Sequence, residues 1–391
     1  MSAAPSRLNP LVAGVAAPPI PEARAWAELY DGRRGPVIDL TQAVPGYPPH
    51  PDLVTRLAEA AREPESYAYG HITGDLALRE AYGAEVSRLY AGQVGPGEVA
   101  ITTGTNMASF AVTLMLAQAG DAVMLPVPWY FNHQMNAAML GIEVVPLPCR
   151  PEGGFVPDPL EAESLLHGRV RAILLVTPNN PTGAVYPPAV IAAFAALCRR
   201  RKLVLVLDET YRDFGPAGAV PHDLFAGAWQ DHVVQLYSFS KSYCVPGFRA
   251  GAVVVGSGCM PDLTKILDCL QICAPRTGQA GLAWAIDELR GWREDNRGLM
   301  AGRADACRDA FAGLPGWRVD AQGAYFAYLR HPYDGVSSWR VAEALAAREG
   351  VVTLPGEAFG PGQANHLRLA FANVAADRIG EVAARLRRFA L

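Results

Sequence analysis

Short aliphatic runs recur through the first two thirds of the chain, and longer segments of helical periodicity separate them. Apolar runs without polar alternation are typical of strands that are buried on both faces, mainly in parallel sheets. The clearest predicted strands are Ala122–Pro126, Arg171–Thr177, Leu203–Leu207, Val233–Tyr237 and Gly251–Val255. A predicted helix, Pro188–Arg201, separates the second and third of them. The pattern predicts an α/β fold with a mostly parallel central sheet and helices on both faces.

The pattern changes after about residue 285, where a charged helical stretch over Trp284–Phe311 begins. Beyond it we predict an aromatic run, a helix, two strand-like runs and a final helix: 323–328, Trp339–Glu349, Val351–Leu354, Leu367–Phe371 and Ala375–Phe389. This second pattern predicts a smaller α+β domain. We therefore divide the chain into an N-terminal arm with part of the small domain (1–45), a large domain (46–285) and a small C-terminal domain (286–391).

Composition narrows the class of protein. The 391 residues are 50% hydrophobic and 18% charged, as in ordinary globular proteins, and the net charge is −4. No basic block stands out, so nucleic acid is not an expected partner. No stretch resembles a signal peptide or membrane span, and the seven cysteines form no CxxC pair. We expect a cytoplasmic protein with reduced core thiols, no membrane partner and no metal site.

Candidate chemistry follows the predicted strands, because ligands in α/β folds bind at the carboxyl ends of parallel strands. Lys241 comes after Val233–Tyr237 and is preceded by the hydroxyls of Ser238 and Ser240. Desolvation there would lower the lysine pKa and favour the neutral, nucleophilic amine. Arg249, eight residues on, could hold a phosphate together with the serines. A surface lysine in a turn is the alternative.

Two further strand ends carry polar groups. Asp208 closes Leu203–Leu207, and Tyr211 follows three residues later. A carboxylate there needs a partner, which in a pyridoxal enzyme is the protonated ring nitrogen; a helix N-cap is the competing interpretation. Asn180 lies in a turn after Arg171–Thr177 and, like Tyr211, could donate to a phenolic oxygen.

A third group of residues could bind an anion and a ring. Gly104, Thr105 and Asn106 open a predicted helix, whose free N–H groups and dipole favour an anion, although the segment by itself is more often a simple helix cap. Tyr130 follows the strand Ala122–Pro126 and offers an aromatic face for stacking, or merely for packing.

In their order along the chain, these motifs resemble the fold type I, class I/II aminotransferases, a group that includes aspartate and kynurenine aminotransferases. The resemblance extends from about Leu40 to Leu391. The matching positions are Tyr69, Gly74, Leu78-Arg79-Glu80-Ala81, Gly104-Thr105, Tyr130, Asn132-His133, Asn180-Pro181-Thr182-Gly183, Asp208, Tyr211, Ser238-x-Ser240-Lys241, Arg249, Pro355-Gly356-Glu357-Ala358-Phe359-Gly360 and Leu367-Arg368-Leu369.

The resemblance implies pyridoxal 5′-phosphate as cofactor and a role for each matched residue. Lys241 would carry the cofactor as a Schiff base and then move the proton between Cα and C4′. Asp208 would pair with the ring nitrogen, Asn180 and Tyr211 would bond the phenolic oxygen, and Tyr130 would stack on the ring. The phosphate would be held by Gly104, Thr105, Asn106, Ser238, Ser240 and Arg249.

The resemblance also implies a homodimer with shared active sites, in which Tyr69 reaches the phosphate of the neighbouring subunit. Arg368 would clamp the substrate α-carboxylate, with Asn180 and the backbone N–H of Ala43 beside it. The family often has glycine at position 43, so space near the substrate is slightly reduced. No second arginine for a side-chain carboxylate aligns securely, and Arg276 is only in the right region. We therefore expect aromatic or aliphatic L-amino acids rather than dicarboxylic ones.

Other functions remain open at this point. The same residues serve carbon–sulfur lyases and other β/γ-eliminating enzymes, because the cofactor supplies the electron sink and the protein selects the bond that breaks. A pyridoxal-binding transcriptional regulator would need an attached DNA-binding unit. The aminotransferase-like pattern begins by about residue 38, which leaves no room for that unit before it. Transamination by a ping-pong mechanism is the favoured hypothesis.

Overall fold

The computed structural model describes residues 8–391, so the first seven residues of the predicted N-terminal arm lie outside the described part. Its strands are β1 (Ile38–Asp39), β2 (Val99–Thr102), β3 (Ala122–Val127), β4 (Glu143–Pro148), β5 (Val170–Val176), β6 (Val204–Asp208), β7 (Val233–Ser238), β8 (Gly251–Val254), β9 (Arg318–Gly323), β10 (Phe326–Arg330), β11 (Val351–Val352), β12 (Leu354–Pro355) and β13 (His366–Ala370). The five strands predicted from apolar runs are all present.

Seven strands form the central sheet, in the order β2-β8-β7-β6-β5-β3-β4. All neighbouring pairs from β7 to β4 are parallel, and β8 runs antiparallel to both β2 and β7. The predicted mostly parallel sheet is confirmed. The sequence pattern did not single out β4, an outer strand that contains two prolines and in which exposed residues alternate with buried ones.

Helices cover both faces of this sheet. The α-helices of the described residues, on this sheet and elsewhere, are α1 (Pro10–Ala13), α2 (Pro19–Ala27), α3 (Pro51–Ala60), α4 (Leu76–Leu89), α5 (Thr105–Leu116), α6 (Phe131–Met139), α7 (Pro159–Leu165), α8 (Pro188–Arg201), α9 (Phe239–Ser242), α10 (Met260–Gln271), α11 (Arg276–Glu288), α12 (Arg290–Phe311), α13 (Ser338–Glu349) and α14 (Ala376–Arg388).

Alternate residues of each central strand enter different cores. In β6, Leu205 and Leu207 pack with α3, α4, α8 and α11, whereas Val206 packs with α5, α6 and α10. Successive side chains of a strand point to opposite faces, so a strand with helices on both sides must be apolar throughout. This burial explains the continuous aliphatic runs, and it confirms the predicted α/β fold class.

The remaining six strands form two further sheets, of four and two strands, which we call together the C-terminal layer. The order β12-β13-β10-β9 is antiparallel, and its apolar face packs on α12, α13 and α14. β1 pairs in parallel with β11, so the chain before residue 40 joins this C-terminal layer. The domain boundaries at residues 45 and 285 stay a prediction.

The predicted single helix over Trp284–Phe311 is wrong in one respect, because the helical path breaks at Leu289. That residue ends α11 and precedes α12, with φ −100° and ψ 21°. α11 packs against α3 and α4, whereas α12 packs against α14. Leu289 is buried, and the change of packing partner across it accounts for a break that periodicity does not reveal.

The cysteines are free, and four of the seven are buried. Cys269 is exposed on α10, so the expectation that all seven are core thiols is wrong for this residue. Among the helices of residues 8–391, none is both long and apolar enough to cross a membrane.

Gly183 shows how closely the two layers approach one another. A Cβ on Gly183 would lie 2.3 Å from the backbone nitrogen of Gly323 at the end of β9, and Gly183 has φ +78°. Gly218 also has a positive φ, +67°, but a Cβ there would meet nothing within 4 Å. A comparison of Gly183 with Gly218 therefore distinguishes the effect of steric contact from that of backbone strain.

We predict that Gly183→Ala lowers the free energy of unfolding by about 3 kcal/mol, because backbone strain and a clash with backbone atoms add together. The matched change Gly218→Ala should cost about 1 kcal/mol, from strain alone. Chemical denaturation of both variants measures the difference. Equal losses in the two variants would contradict the steric interpretation.

Candidate active site

Lys241 lies on the short helix α9, directly after β7. It is one of three lysines in the chain, with Lys202 and Lys265. Its Nζ donates a hydrogen bond of 2.5 Å to the carbonyl oxygen of Ala43. Burial, together with the positive charges of Arg249 and Arg368, lowers the pKa of Lys241 to about 8. The neutral amine is thus far more populated near neutral pH than in an ordinary lysine.

A cavity of about 280 Å³ opens beside Lys241 at the carboxyl ends of β5, β6 and β7. Ten residues named from the sequence line it: Thr105, Asn106, Tyr130, Asn180, Asp208, Tyr211, Ser238, Ser240, Lys241 and Arg249. The structure therefore gathers side chains that lie up to 144 residues apart in the chain. Five lining residues were not named as site residues: Gln42, Val44, Val176, Thr210 and Pro246.

Asp208 is buried, and its carboxylate is oriented by neighbours on both sides. Nε2 of His133 lies 2.9 Å from Oδ2, and the backbone N–H of Thr210 donates to Oδ1 at 3.1 Å. Nδ1 of His133 in turn lies 2.8 Å from the hydroxyl of Ser109. A carboxylate only accepts, so Nε2 of His133 donates to Asp208, and Nδ1 is hydrogen-bonded to the serine. These hydrogen bonds, from Ser109 through His133 to Asp208, fix the carboxylate at the cavity wall.

His133 belongs to the matched motif Asn132-His133, but no role for it was predicted from the sequence. The available signal was the buried carboxylate itself, since a charge at the end of an apolar strand requires a hydrogen-bonding partner within the protein. That partner lies 75 residues earlier, on α6. Distance along the chain hides such a pair from any local pattern.

An anion site forms where α5 begins. Gly104 precedes the helix with φ +81°, and the first N–H groups of a helix carry a partial positive charge. The guanidinium of Arg249 lies across Gly104, because a Cβ there would be 2.3 Å from its Nη2. The hydroxyls of Ser238 and Ser240 line the same end of the cavity. Only glycine admits this close approach.

Two tyrosines flank the cavity with their hydroxyls protonated. Burial raises the pKa of Tyr130 to about 12, and its hydroxyl lies 3.4 Å from Oδ1 of Asn106. Burial also raises the pKa of Tyr211. Both phenols therefore remain hydrogen-bond donors at physiological pH.

Arg368, on β13, lies at the border of this site. It is 2% exposed, donates at 3.3 Å to Oδ1 of Asn180, and also bonds the backbone carbonyl of Thr41. Burial lowers its pKa to about 10, so it stays charged. Its Nε has no partner among the described residues. A buried guanidinium with unused donors is suited to receive a carboxylate.

Two sequence-predicted residues lie elsewhere. Tyr69 is 79% exposed and does not line the cavity of its own chain. Arg276 is held by Asp75 at 3.2 Å and by the backbone carbonyl of Glu65, and it too is absent from the cavity lining.

Comparison with known proteins agrees with this geometry. Residues 35–386 match the family model described as aminotransferase class I and II. The arginine–pyruvate transaminase of Pseudomonas aeruginosa is 33% identical over 77% of each chain, and an aromatic aminotransferase of Arabidopsis thaliana is 28% identical over 90% of this chain and 89% of its own. The chain belongs to the class I and II aminotransferases. The family identified from the motifs is confirmed.

Solved structures of aminotransferases share the fold. A double mutant of Thermus thermophilus aspartate aminotransferase superposes with a TM-score of 0.90 at 23% identity, over 97% of this chain and 99% of its own. The Pyrococcus horikoshii aromatic aminotransferase has a TM-score of 0.84 at 23% identity, over 94% and 98% of the two chains. These matches confirm the fold type I architecture.

Aminotransferases of this family use pyridoxal 5′-phosphate, and the donor set of the cavity fits that cofactor. The anion site beside Arg249 suits a phosphate, the carboxylate of Asp208 suits a protonated ring nitrogen, and the Lys241 amine suits an aldehyde. The phenol of Tyr211 offers a donor to a phenolate oxygen.

We predict that Lys241 of the cofactor-free protein becomes reactive with a midpoint near pH 8. Because the pKa is lowered, the neutral amine that attacks an electrophile is already abundant at pH 7.5. Competitive acetylation at a series of pH values, followed by mass spectrometry, gives the titration, with exposed Lys265 as the reference. A Lys241 midpoint above pH 10 would contradict the prediction.

Proposed function

We propose that the chain transfers the amino group of an L-amino acid to a 2-oxo acid in two half-reactions, a ping-pong mechanism that passes through Lys241. One observation supports this proposal above the others. The amine of Lys241, the oriented carboxylate of Asp208 and the anion site beside Arg249 line a single cavity, and the carboxylate-binding Arg368 lies beside it. Transamination needs each of these groups.

In this proposal the cofactor is held at its two ends. Its phosphate would lie at the start of α5, bound by Thr105, Asn106, Ser238, Ser240 and Arg249, with Gly104 providing the space. Asp208 would pair with the ring nitrogen, and His133 would keep that carboxylate in position.

The remaining cofactor contacts involve the ring. Tyr130 would stack on it, and Asn180 with Tyr211 would donate to its phenolic oxygen. When bound, the cofactor supplies an electron sink that stabilises negative charge at the substrate Cα.

Lys241 would then act on protons. Its amine, with a pKa lowered to about 8, can accept a proton from the substrate Cα and return it at C4′ of the cofactor. The hydrogen bond to the carbonyl of Ala43 gives the free amine a defined resting position. General acid–base groups work best when their pKa lies near the operating pH.

The substrate α-carboxylate would bind Arg368, whose guanidinium is buried between Phe326 and Phe359 at 5.2 and 5.5 Å. We propose that the side chain of the donor is aromatic or aliphatic. In support, Arg276 is already bound to Asp75 and to the backbone, so it is not free to receive a second carboxylate within its own chain.

We further propose a homodimer with shared active sites. Tyr69 is 79% exposed, and Val54 and Phe248 are exposed around an apolar groove. Exposed apolar groups of this size are typical of subunit interfaces. Tyr69 would then complete the phosphate site of the partner subunit.

The first half-reaction can be observed in isolation. We predict that adding an aromatic or aliphatic L-amino acid, without any 2-oxo acid, bleaches the yellow cofactor absorption of the holoenzyme, and that pyruvate restores it. L-Aspartate should react at least about tenfold more slowly at equal concentration. Lys241→Ala should abolish both changes. Persistent yellow colour with release of ammonia or sulfide would indicate a lyase instead.

Shared active sites predict complementation between two defective chains. Lys241→Ala and Tyr69→Ala each damage every site of their own homodimer. A mixed dimer contains one site with an intact Lys241 and an intact Tyr69 from the other chain.

After unfolding and refolding of an equimolar mixture, about a quarter of the wild-type activity should return, because half of the dimers are mixed and each has one intact site. The control is the same treatment of each variant alone. Activity that equals the mean of the two separate variants would contradict sharing through Tyr69.

A further inference from the structure

Two adjoining cavities, distinct from the catalytic one, lie beside the segment that carries Tyr211. Their volumes are about 400 and 280 Å³, and both are lined by Arg212 and by the loop 215–221. Neither shares a lining residue with the catalytic cavity. We call the first the arginine cavity and the second the apolar cavity.

The arginine cavity has an excess of positive charge. Five arginines line it, against three carboxylates. The arginines are Arg88, Arg212, Arg290, Arg293 and Arg297, and the carboxylates are Glu85, Asp213 and Glu294. Arg290 also pairs with Asp287, which lies outside the lining, at 2.5 Å, so one positive charge has no acidic counterpart in this group. Charges in partly desolvated surroundings favour a bound counter-ion.

Among these five arginines, Arg212 alone has no ion pair within 4 Å in the described part of the chain. It is 7% exposed, and no carboxylate oxygen of the described residues lies within 4 Å of its guanidinium nitrogens. Its Nη1 donates only to the phenols of Tyr82 and Tyr90, at 3.2 and 3.5 Å, and its guanidinium stacks on Tyr237 at 4.1 Å. Its Nε has no partner within the described chain.

Arg293, on α12, is a second buried arginine of this cavity, but unlike Arg212 it is ion-paired. It is 8% exposed and pairs with Glu85 at 2.9 Å and with Asp213 at 3.3 Å, yet its Nε also lacks a partner among residues 8–391. Two buried arginines therefore line one cavity, and the Nε atom of each has no hydrogen-bond partner among the described residues. An anion in this cavity would bind the guanidinium groups by charge-assisted hydrogen bonds, which are stronger than neutral ones.

The apolar cavity adds a second kind of surface to the first. Its wall is mostly aliphatic and proline side chains, including Pro178, Val185, Pro187 and Ile191, with the ring of Tyr186. Pockets of this size and character bind the apolar part of small molecules. Val220 lines both cavities, so the two cavities border on the same loop.

We propose that the two cavities together form a binding site for a small amphipathic carboxylate, separate from the catalytic site. The carboxylate would lie among Arg212, Arg293 and Arg297, and the hydrocarbon or aromatic part would occupy the apolar cavity. Recognition then needs both the negative charge and the apolar body. This inference goes beyond the proposed transamination and does not depend on it.

The test uses 3-phenylpropanoate as probe, titrated into the holoenzyme by calorimetry. The same probe can also occupy the catalytic site through Arg368, so the titration is made in the Arg368→Lys variant. In this background we expect saturable binding of about one molecule per chain. The uncharged 3-phenylpropanamide and inorganic sulfate should each bind at least about tenfold more weakly, because each lacks one half of the ligand.

Variants on α12 identify the site. Arg297 and Arg308 each pair with an acidic residue three positions earlier, Glu294 at 2.6 Å and Asp305 at 2.8 Å, but only Arg297 lines the arginine cavity. Arg297→Gln should weaken probe binding about tenfold, and the matched Arg308→Gln should leave it unchanged. Val220→Asn, at a half-exposed position, should weaken binding without affecting that of sulfate.

Three results would overturn the proposal. The first is no saturable binding in the Arg368→Lys background up to about 10 mM probe, a weak limit for a site of this kind. The second is equal affinity in the Arg297→Gln and Arg308→Gln variants. The third is sulfate binding as tightly as the probe, which would remove the apolar cavity from the site. Circular dichroism of each variant confirms that the fold is retained.

Discussion

Backbone hydrogen bonds between β5, β6 and β7 hold the carboxyl ends of these three strands level with one another. Val176 pairs with Asp208, and Asp208 pairs with Leu236. Side chains that follow the strand ends must therefore meet at one edge of the sheet. The antiparallel β8 closes the other side, where Gly251 lies against the start of α5. The positions of the lysine, the carboxylate and the anion site all follow from this register.

Glycines then allow backbone and charged groups to come closer than side chains would permit. Gly104 lets the guanidinium of Arg249 lie over the start of α5, which places a fixed positive charge beside the first N–H groups of that helix. Gly183 touches Gly323 of the C-terminal layer, and this contact brings β13 near the turn that follows β5. Arg368 can thus reach Asn180 from a different sheet. The absence of a side chain at Gly183 thus lets the two layers meet at one site, and its absence at Gly104 lets Arg249 approach the start of α5.

The sequence predicted most of this arrangement, because strands buried on both faces show continuous apolar runs and ligand groups follow their ends. Ten named residues line the cavity on that logic. Other features depend on contacts that no local pattern records. His133 orients Asp208 from α6, the helix over 276–311 breaks at Leu289 because its halves pack on different elements, and exposed residues alternate with buried ones in the outer strand β4. Tertiary packing decided each of these.

The charges around Lys241 link its basicity to what the cavity contains. Without ligands, Arg249 and Arg368 are positive, and together with burial they lower the lysine pKa to about 8. A phosphate beside Arg249 and a carboxylate beside Arg368 would each supply negative charge, which reduces the repulsion felt by the ammonium. The pKa of the amine must then rise as the ligands bind. The lysine is therefore most readily neutral in the empty site, and the negative charges of a bound phosphate and carboxylate would move its pKa back toward the ordinary lysine value.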